Sequence, residues 1–171
     1  MTQVLVVYHS VTGHTRALAE AVAEGARSVE GATCRLLPVG EVTNDDLLAA
    51  DAIIVGSPTY FGQMAAEVKR MFDASNAIYG QLEGKVGAAF TTVGAAGCGH
   101  ETTNLSIISA MLIAGMVVTG FASGPTPCFG AFAVGRPTDK EMRAARHMGA
   151  RVTELASRLS AAALASDAPL R

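Results

Sequence analysis

Apolar runs alternate with segments of helical periodicity along nearly the whole chain. Val4-Leu5-Val6-Val7-Tyr8 is continuously apolar and β-branched, as a strand covered on both faces must be. From about Thr15 to Val29 the residues Leu18, Val22, Ala26 and Val29 fall at helical spacing. The pattern next predicts a strand at about Thr33 to Leu37, a short helical turn near Asn44 to Ala49, and a strand at Ala52–Val55 closed by Gly56-Ser57-Pro58. A helix over roughly Ala65 to Ala74 and a strand from Lys85 to Thr92 follow. Thr102 to Ala114 reads as a helix with Leu105, Ile108 and Leu112 on one face, and Met116 to Phe121 as a fifth strand. Thr138 with Glu141 three residues on is a capping box that opens a last helix. Behind it Ala145, Met148, Val152, Leu155 and Leu159 draw an apolar stripe, with methionine as core filler. From Ser160 to Arg171 the stripe fades, and fraying is expected there.

Five strands separated by helices predict right-handed βαβ units, and hence an α/β fold with a parallel sheet covered on both sides. Neither a composition break nor an internal repeat divides the 171 residues, so a single domain over 1–171 is expected. Half the residues are hydrophobic and 16% are charged, enough apolar material for a large core and the wrong composition for disorder. Leu105 to Val118, the longest apolar stretch, contains two serines and is shorter than a membrane span. Met1-Thr2-Gln3 runs straight into a strand without the basic start and apolar run of a signal peptide, so a cytoplasmic protein is expected. Cys34, Cys98 and Cys128 have neither the number nor the spacing of a disulfide framework or a metal knuckle. His9, His14 and His147 carry no metal-ligand spacing either. With a net charge of −2, and with Arg136, Lys140, Arg143, Arg146, Arg151 and Arg158 interleaved with acids on a helical segment, the basic residues read as a solvated face and not a nucleic-acid stripe.

In open parallel sheets ligands sit beyond the carboxyl ends of the strands, where strand order reverses. Three loops lie there. Ser10-Val11-Thr12-Gly13-His14-Thr15 sets three hydroxyls and a glycine between a strand and a helix. Such a turn aims backbone N–H groups at one spot and adds the positive end of a helix, enough to hold a phosphate without a lysine. An ordinary strand-to-helix turn with a threonine N-cap has the same composition. A P-loop is excluded because no Gly-Lys-Ser/Thr occurs, and Gly13 has no partners in a dinucleotide fingerprint. A phosphotransfer receiver would need carboxylates where His9-Ser10 and Gly56-Ser57 stand.

The loop Ser57-Pro58-Thr59-Tyr60-Phe61-Gly62-Gln63-Met64 offers two adjacent aromatics in a chain with three tyrosines, six phenylalanines and no tryptophan. A flat heteroaromatic ring can stack there, or the pair can simply pin the loop. Thr92-Val93-Gly94-Ala95-Ala96-Gly97-Cys98-Gly99 has three glycines and no bulky side chain. It suits close approach of backbone to a ligand, though a loose connection would look alike. Cys98 has no partner cysteine nearby and reads as a small loop residue. His100 follows this loop and is the one candidate catalytic residue, with a helix-start role as the alternative.

These residues resemble the flavodoxin superfamily, whose phosphate loop has the form [ST]-x-T-G-x-T, as in Ser10–Thr15. The fuller likeness is to WrbA-type NAD(P)H:quinone oxidoreductases and covers about Val4 to Phe121 and the last helix. Its marks are Tyr8, Ser10, Gly13-His14, Pro58 to Met64, Thr92 to Gly97 and Gly115-Met116. The resemblance implies a flavodoxin-like three-layer sandwich with five parallel strands in the order 2-1-3-4-5. It also implies FMN as cofactor, NADH or NADPH as donor, a quinone-like acceptor and a homodimer or homotetramer. Ser10, Val11, Thr12, Gly13, His14 and Thr15 would hold the phosphate. Pro58, Thr59, Tyr60 and Phe61 would flank the ring, and Thr92, Val93, Gly94, Ala95, Ala96 and Gly97 would bond its polar edge. The chain departs from these reductases in having Thr12 for a tyrosine and Ile113 for a histidine. The segment that carries an active-site tryptophan in these reductases is shortened here, leaving Tyr79 as the nearest aromatic, and the Ala122–Pro137 connection is reduced. A connection of that length with glycine and proline is expected to be a functional or interface loop. Two other functions fit the same loops: a one-electron carrier of flavodoxin type, and a non-catalytic flavin-binding interaction protein. Carriers tend to be strongly acidic, and a net charge of −2 speaks against that function.

Overall fold

The structure, a computed structural model, describes residues 1–121 and 123–165, with side chains through residue 161. The sheet is built from β1 (Thr2–Tyr8), β2 (Ala32–Pro38), β3 (Ala52–Pro58), β4 (Val86–Val93), β5 (Val117–Val118) and β6 (Phe132–Val134). The helices are α1 (His14–Arg27), α2 (Asn44–Ala49), α3 (Ala66–Ala74), α4 (His100–Ile113) and α5 (Asp139–Ala165). All strand pairs are parallel, in the order β2-β1-β3-β4-β5, with β6 also on β4. This is the flavodoxin-like sheet order that the resemblance implies, with one strand more than expected.

Two apolar layers explain why the central residues of β1, β3 and β4 are apolar. Val4, Val6, Ile54, Ala88 and Phe90 face α1 and α5 through Leu18, Val22, Met148 and Val152. Leu5, Val7, Ile53, Val55 and Ala89 face α2, α3 and α4 through Leu47, Val68, Met71, Ile107 and Met111. Burying each such side chain contributes about 1.5–3 kcal/mol, so the central strands anchor the fold. The α1–α5 contact is close enough that a Cβ on Gly25 would stand 2.0 Å from the Arg146 carbonyl oxygen, and one on Gly149 2.0 Å from that of Val22.

Three expectations are corrected. The fifth strand is not continuous from Met116 to Phe121: β5 pairs Val117–Val118 with Val86–Gly87, the chain leaves the sheet, and β6 resumes against Thr91–Val93. The connection expected at 122–137 therefore carries a strand. It contains Pro125, Pro127, Gly124 and Gly130, which suit an excursion better than a ladder, while Phe132-Ala133-Val134 restores strand-forming residues. In α4 the buried face is Thr103, Asn104, Ile107 and Met111, whereas Leu105 and Leu112 are exposed. Lastly, α5 runs to Ala165, past the expected fraying point at Ser160, as alanines at 161–163 favour. The remainder of the expected tail, 166–171, and Ala122 lie outside the described residues.

Candidate functional site

The first loop is shaped by its own hydroxyl. Ser10 Oγ accepts from the Gly13 amide at 3.1 Å, and Gly13 turns the chain into α1 with φ +87. The first intrahelical bond runs from the Ala17 amide to the Gly13 carbonyl. Among the described residues, no acceptor bonds the amides of Val11, Thr12, His14, Thr15 or Arg16. Nothing stands within 4 Å of the place where a Gly13 side chain would begin. The result is an open concavity lined by free N–H donors at a helix start, the donor set a phosphate dianion requires.

In the second loop, Tyr60 and Gln63 exchange both backbone hydrogen bonds, at 3.1 and 3.0 Å. The two residues between them, Phe61 (φ +50) and Gly62 (φ +72), are both left-handed, as in a type I′ turn. Phe61 projects from its tip fully exposed, at 107% of its reference area, and Tyr60 is about half exposed. A bulky residue in that conformation is strained, and here the strain holds an apolar ring out in solvent.

The third loop leaves the buried end of β4. Thr92 and Val93 are themselves buried, and Gly94 to Gly97 are exposed with no atom near the vacant Cβ positions of Gly94 and Gly97. A flat ring can approach the backbone of Gly94 and Gly97 with only the small side chains of Ala95 and Ala96 between them.

Hydroxyl bonds brace the three loops to one another. Thr15 and Thr92 share a buried 2.7 Å hydroxyl pair, which joins the first loop to the third. The Thr59 hydroxyl lies 3.1 Å from that of Thr91, which donates to the Ser57 carbonyl at 2.6 Å. The Thr59 amide donates to the Thr92 carbonyl at 2.7 Å. Gly99 sits so close to Gly62 that a Cβ would come 2.7 Å from its Cα. Thus Thr15, Thr59 and Thr92 brace the loops with side chains that are already engaged, while Ser10–His14, Tyr60, Phe61 and Gly94–Gly97 present the accessible groups. Thr91 was not singled out from sequence, although a Thr-Thr pair ending an apolar strand is a visible signal.

His100 opens α4 and stacks on Phe132 of β6, centroids 3.9 Å apart and planes at 24°. Phe132 was also missed, since it lay in an expected loop. His9 stands 3.6 Å from the Glu67 carboxylate and ties the end of β1 to α3. His147 bonds Thr126 at 2.9 Å and holds the excursion against α5. Burial pushes the Cys34 thiol up to about 11, against the opposing charge of Arg27, which makes it a poor nucleophile. Cys98 and Cys128 are exposed. Tyr79 and Ile113 line a groove between α3 and α4, about 590 Å³, together with Met64 at the end of the second loop, Lys69, Phe72 and Ser109.

Comparison with known proteins gives this geometry a family. Residues 38–124 match the family described as NADPH-dependent FMN reductase. The chain belongs to this flavodoxin-like family. A flavodoxin of Aquifex aeolicus is 39% identical over 90% of this chain and 86% of its own. An NAD(P)H dehydrogenase (quinone) of Chromohalobacter salexigens is 34% identical, covering 94% of this chain and 100% of its own. That alignment runs over 201 residues against a chain of 171, so this FMN reductase-family member lacks segments that the relative carries. Among solved structures, the WrbA-like flavodoxin of Agrobacterium tumefaciens superposes with a TM-score of 0.79 at 30% identity, over 92% of this chain and 99% of that one. No helix among the described residues is long and apolar enough to cross a membrane. The free amides of the first loop and the third loop's lack of bulky side chains fit the phosphate and ring of the flavin in the family's name.

Proposed function

We propose that the protein is an FMN-dependent oxidoreductase that takes reducing equivalents from NADH or NADPH and delivers them to a quinone or a similarly flat acceptor. The observation that carries this reading is the convergence, on one sheet edge, of five free amides, an exposed aromatic turn and a glycine-rich loop without bulky side chains. Ser10–Thr15 hold the phosphate. Pro58–Phe61 flank the ring, and Thr92–Gly97 meet its polar edge, with Thr92 and Val93 supporting the exposed backbone of Gly94–Gly97. FMN supplies the redox chemistry when bound. The chain's own part is to orient the ring, to keep hydroxyls and amides on the phosphate, and to leave an apolar surface at Tyr60 and Phe61 for a flat partner. Relatives named NAD(P)H dehydrogenase (quinone) support both donor and acceptor. The direct test is reconstitution with FMN, then a steady-state assay with each nicotinamide donor and a set of benzoquinones. Full flavin occupancy without quinone-dependent NAD(P)H oxidation overturns the proposal.

The Aquifex relative favours a second reading, a flavodoxin-type carrier. Carriers use surface charge to steer docking, yet the loops 10–15, 58–64 and 92–100 contain no acidic residue and the net charge is only −2. Reduction by NAD(P)H without any partner reductase separates the two readings. The groove between α3 and α4 begins at Met64, directly after the aromatic turn, and exposed Tyr79, Leu112 and Ile113 lie along or beside it. It supports a further part of the proposal: this face pairs with a second copy of the chain in a homodimer or homotetramer.

A further inference from the structure

Two buried side-chain polar atoms have no hydrogen-bond partner among the described residues, and they lie one helical turn apart. They are Nδ1 of His100 and Oδ1 of Asn104. Residues spaced i and i+4 share a helix face, and this face of α4 turns toward β4 and β6. Asn104 is 1% exposed. A buried acceptor left unpaired is expensive, so two within one turn point to a shared partner. Gly130 packs tightly against this face: a Cβ there would come 1.9 Å from the Ala89 carbonyl oxygen and 3.4 Å from Asn104 Nδ2.

Stacking on Phe132 sets the plane of the His100 ring. In the neutral ring with the proton on Nε2, Nδ1 is an acceptor, so it and Asn104 Oδ1 together match the two hydrogens of one water. Nε2 has no hydrogen-bond partner among the described residues, and His100 is partly exposed beside the glycine-rich loop.

We infer that one internal water donates to both His100 Nδ1 and Asn104 Oδ1, holding His100 as the Nε2–H tautomer with its N–H free to bond a carbonyl oxygen of the flat acceptor. The second half of this statement rests on the function proposed above. Asn104 is then a positioning residue, acting through the water on the imidazole that meets the substrate.

The tautomer is read directly from long-range ¹H–¹⁵N spectra of the FMN-loaded protein labelled at histidine, with His100→Phe identifying the signal among the four histidines. The expected result is a pyridine-like Nδ1 and a protonated Nε2. A protonated Nδ1, or an averaged pair of shifts, overturns the inference without any variant or substrate. Asn104→Leu removes the acceptor at similar size and is expected to average the two nitrogen shifts. His100→Phe keeps the stack and loses the N–H. It is expected to lower kcat/KM for a benzoquinone about tenfold, the scale of one hydrogen bond, with FMN affinity unchanged. Unchanged quinone kinetics in that variant overturn the acceptor role. An absence of quinone reduction in the unmodified, flavin-loaded protein instead overturns the proposed function and leaves the tautomer result standing.

Discussion

Phe61 spends conformational energy on a position that buries none of its ring. A non-glycine residue at φ +50 costs about 1–2 kcal/mol, and asparagine tolerates that region far better. Phe61→Asn is therefore expected to raise the stability of the flavin-free protein by about 1 kcal/mol in thermal melts, and to weaken FMN binding several-fold through the lost aromatic surface. If flavin affinity does not change, Phe61 has no part in holding the ring. Gly13 is the converse case. Nothing obstructs a side chain there, so Gly13→Ala tests backbone conformation alone. Relaxation of the free loop away from φ +87 must be reversed on binding at about 1–2 kcal/mol, which predicts a rise of about 5- to 30-fold in the FMN dissociation constant by fluorescence titration. Both loops were legible as candidate sites because glycine and paired aromatics are visible in a sequence. The strain at Phe61 was not. Type I′ turns advertise themselves by Asn-Gly or Asp-Gly, and here only Gly62 carries that signal. Asn104 was equally silent, since an asparagine in helical sequence reads as surface until the fold buries it.

Helix ends and helix contacts carry the predictions at the next scale. In α2, Thr43 and Asp46 form a complete capping box, and Asp46 also pairs with Arg35. At the start of α5 the Glu141 carboxylate accepts from the amide and hydroxyl of Thr138. Hydrogen bonds from Thr43 hold the Asp46 carboxyl below its ordinary value of 3.8, and those from Thr138 do the same for Glu141 below 4.5. Both groups bind protons more weakly folded than unfolded. Their contribution is therefore complete above the ordinary carboxylate range and declines as pH falls through it and below. Asp46→Asn with Glu141→Gln should flatten that acid limb of stability in urea titrations at successive pH values. The close α1–α5 approach makes a sharper demand. Gly149→Ala drives a Cβ into the Val22 carbonyl, and a loss of about 1–3 kcal/mol or more is expected in urea unfolding. A neutral result would mean the two helices can separate at little cost. Strand and helix existence was well marked in the sequence, because the central residues of strands buried on both faces are apolar. The facing of α4 was not. Its apolar and small polar residues are spread around the helix, and its buried side includes Thr103 and Asn104, so periodicity alone picked Leu105 and Leu112 wrongly. The division of the last strand was hidden too, since Val117-Val118 and Phe132-Ala133-Val134 each look too short to stand alone.

What the whole molecule adds is convergence. Three loops far apart in sequence become one site because β1, β3 and β4 are adjacent and parallel, and their carboxyl ends share an edge. That much followed from the order of elements and the likeness of their loops. The braces between loops, such as Thr15 to Thr92, depend on register and could not be read. The assembly state depends on the opposite property, a surface with nothing over it. The groove between α3 and α4 places Phe72 and Met64 beneath an open rim, where Tyr79 is 72% and Ile113 76% exposed. Such a surface beside the aromatic turn suits a second subunit, whose docking would cover the groove and shield one side of the site from water. Sedimentation of the FMN-loaded protein should therefore show a dimer or tetramer that dissociates on dilution. Ile113→Lys should yield monomer. Because Ile113 is largely exposed, the monomer's own unfolding free energy should change by no more than about 0.5 kcal/mol. A monomeric unmodified protein at every concentration would remove the second subunit from the proposal, and the groove would then be only a cleft between two helices.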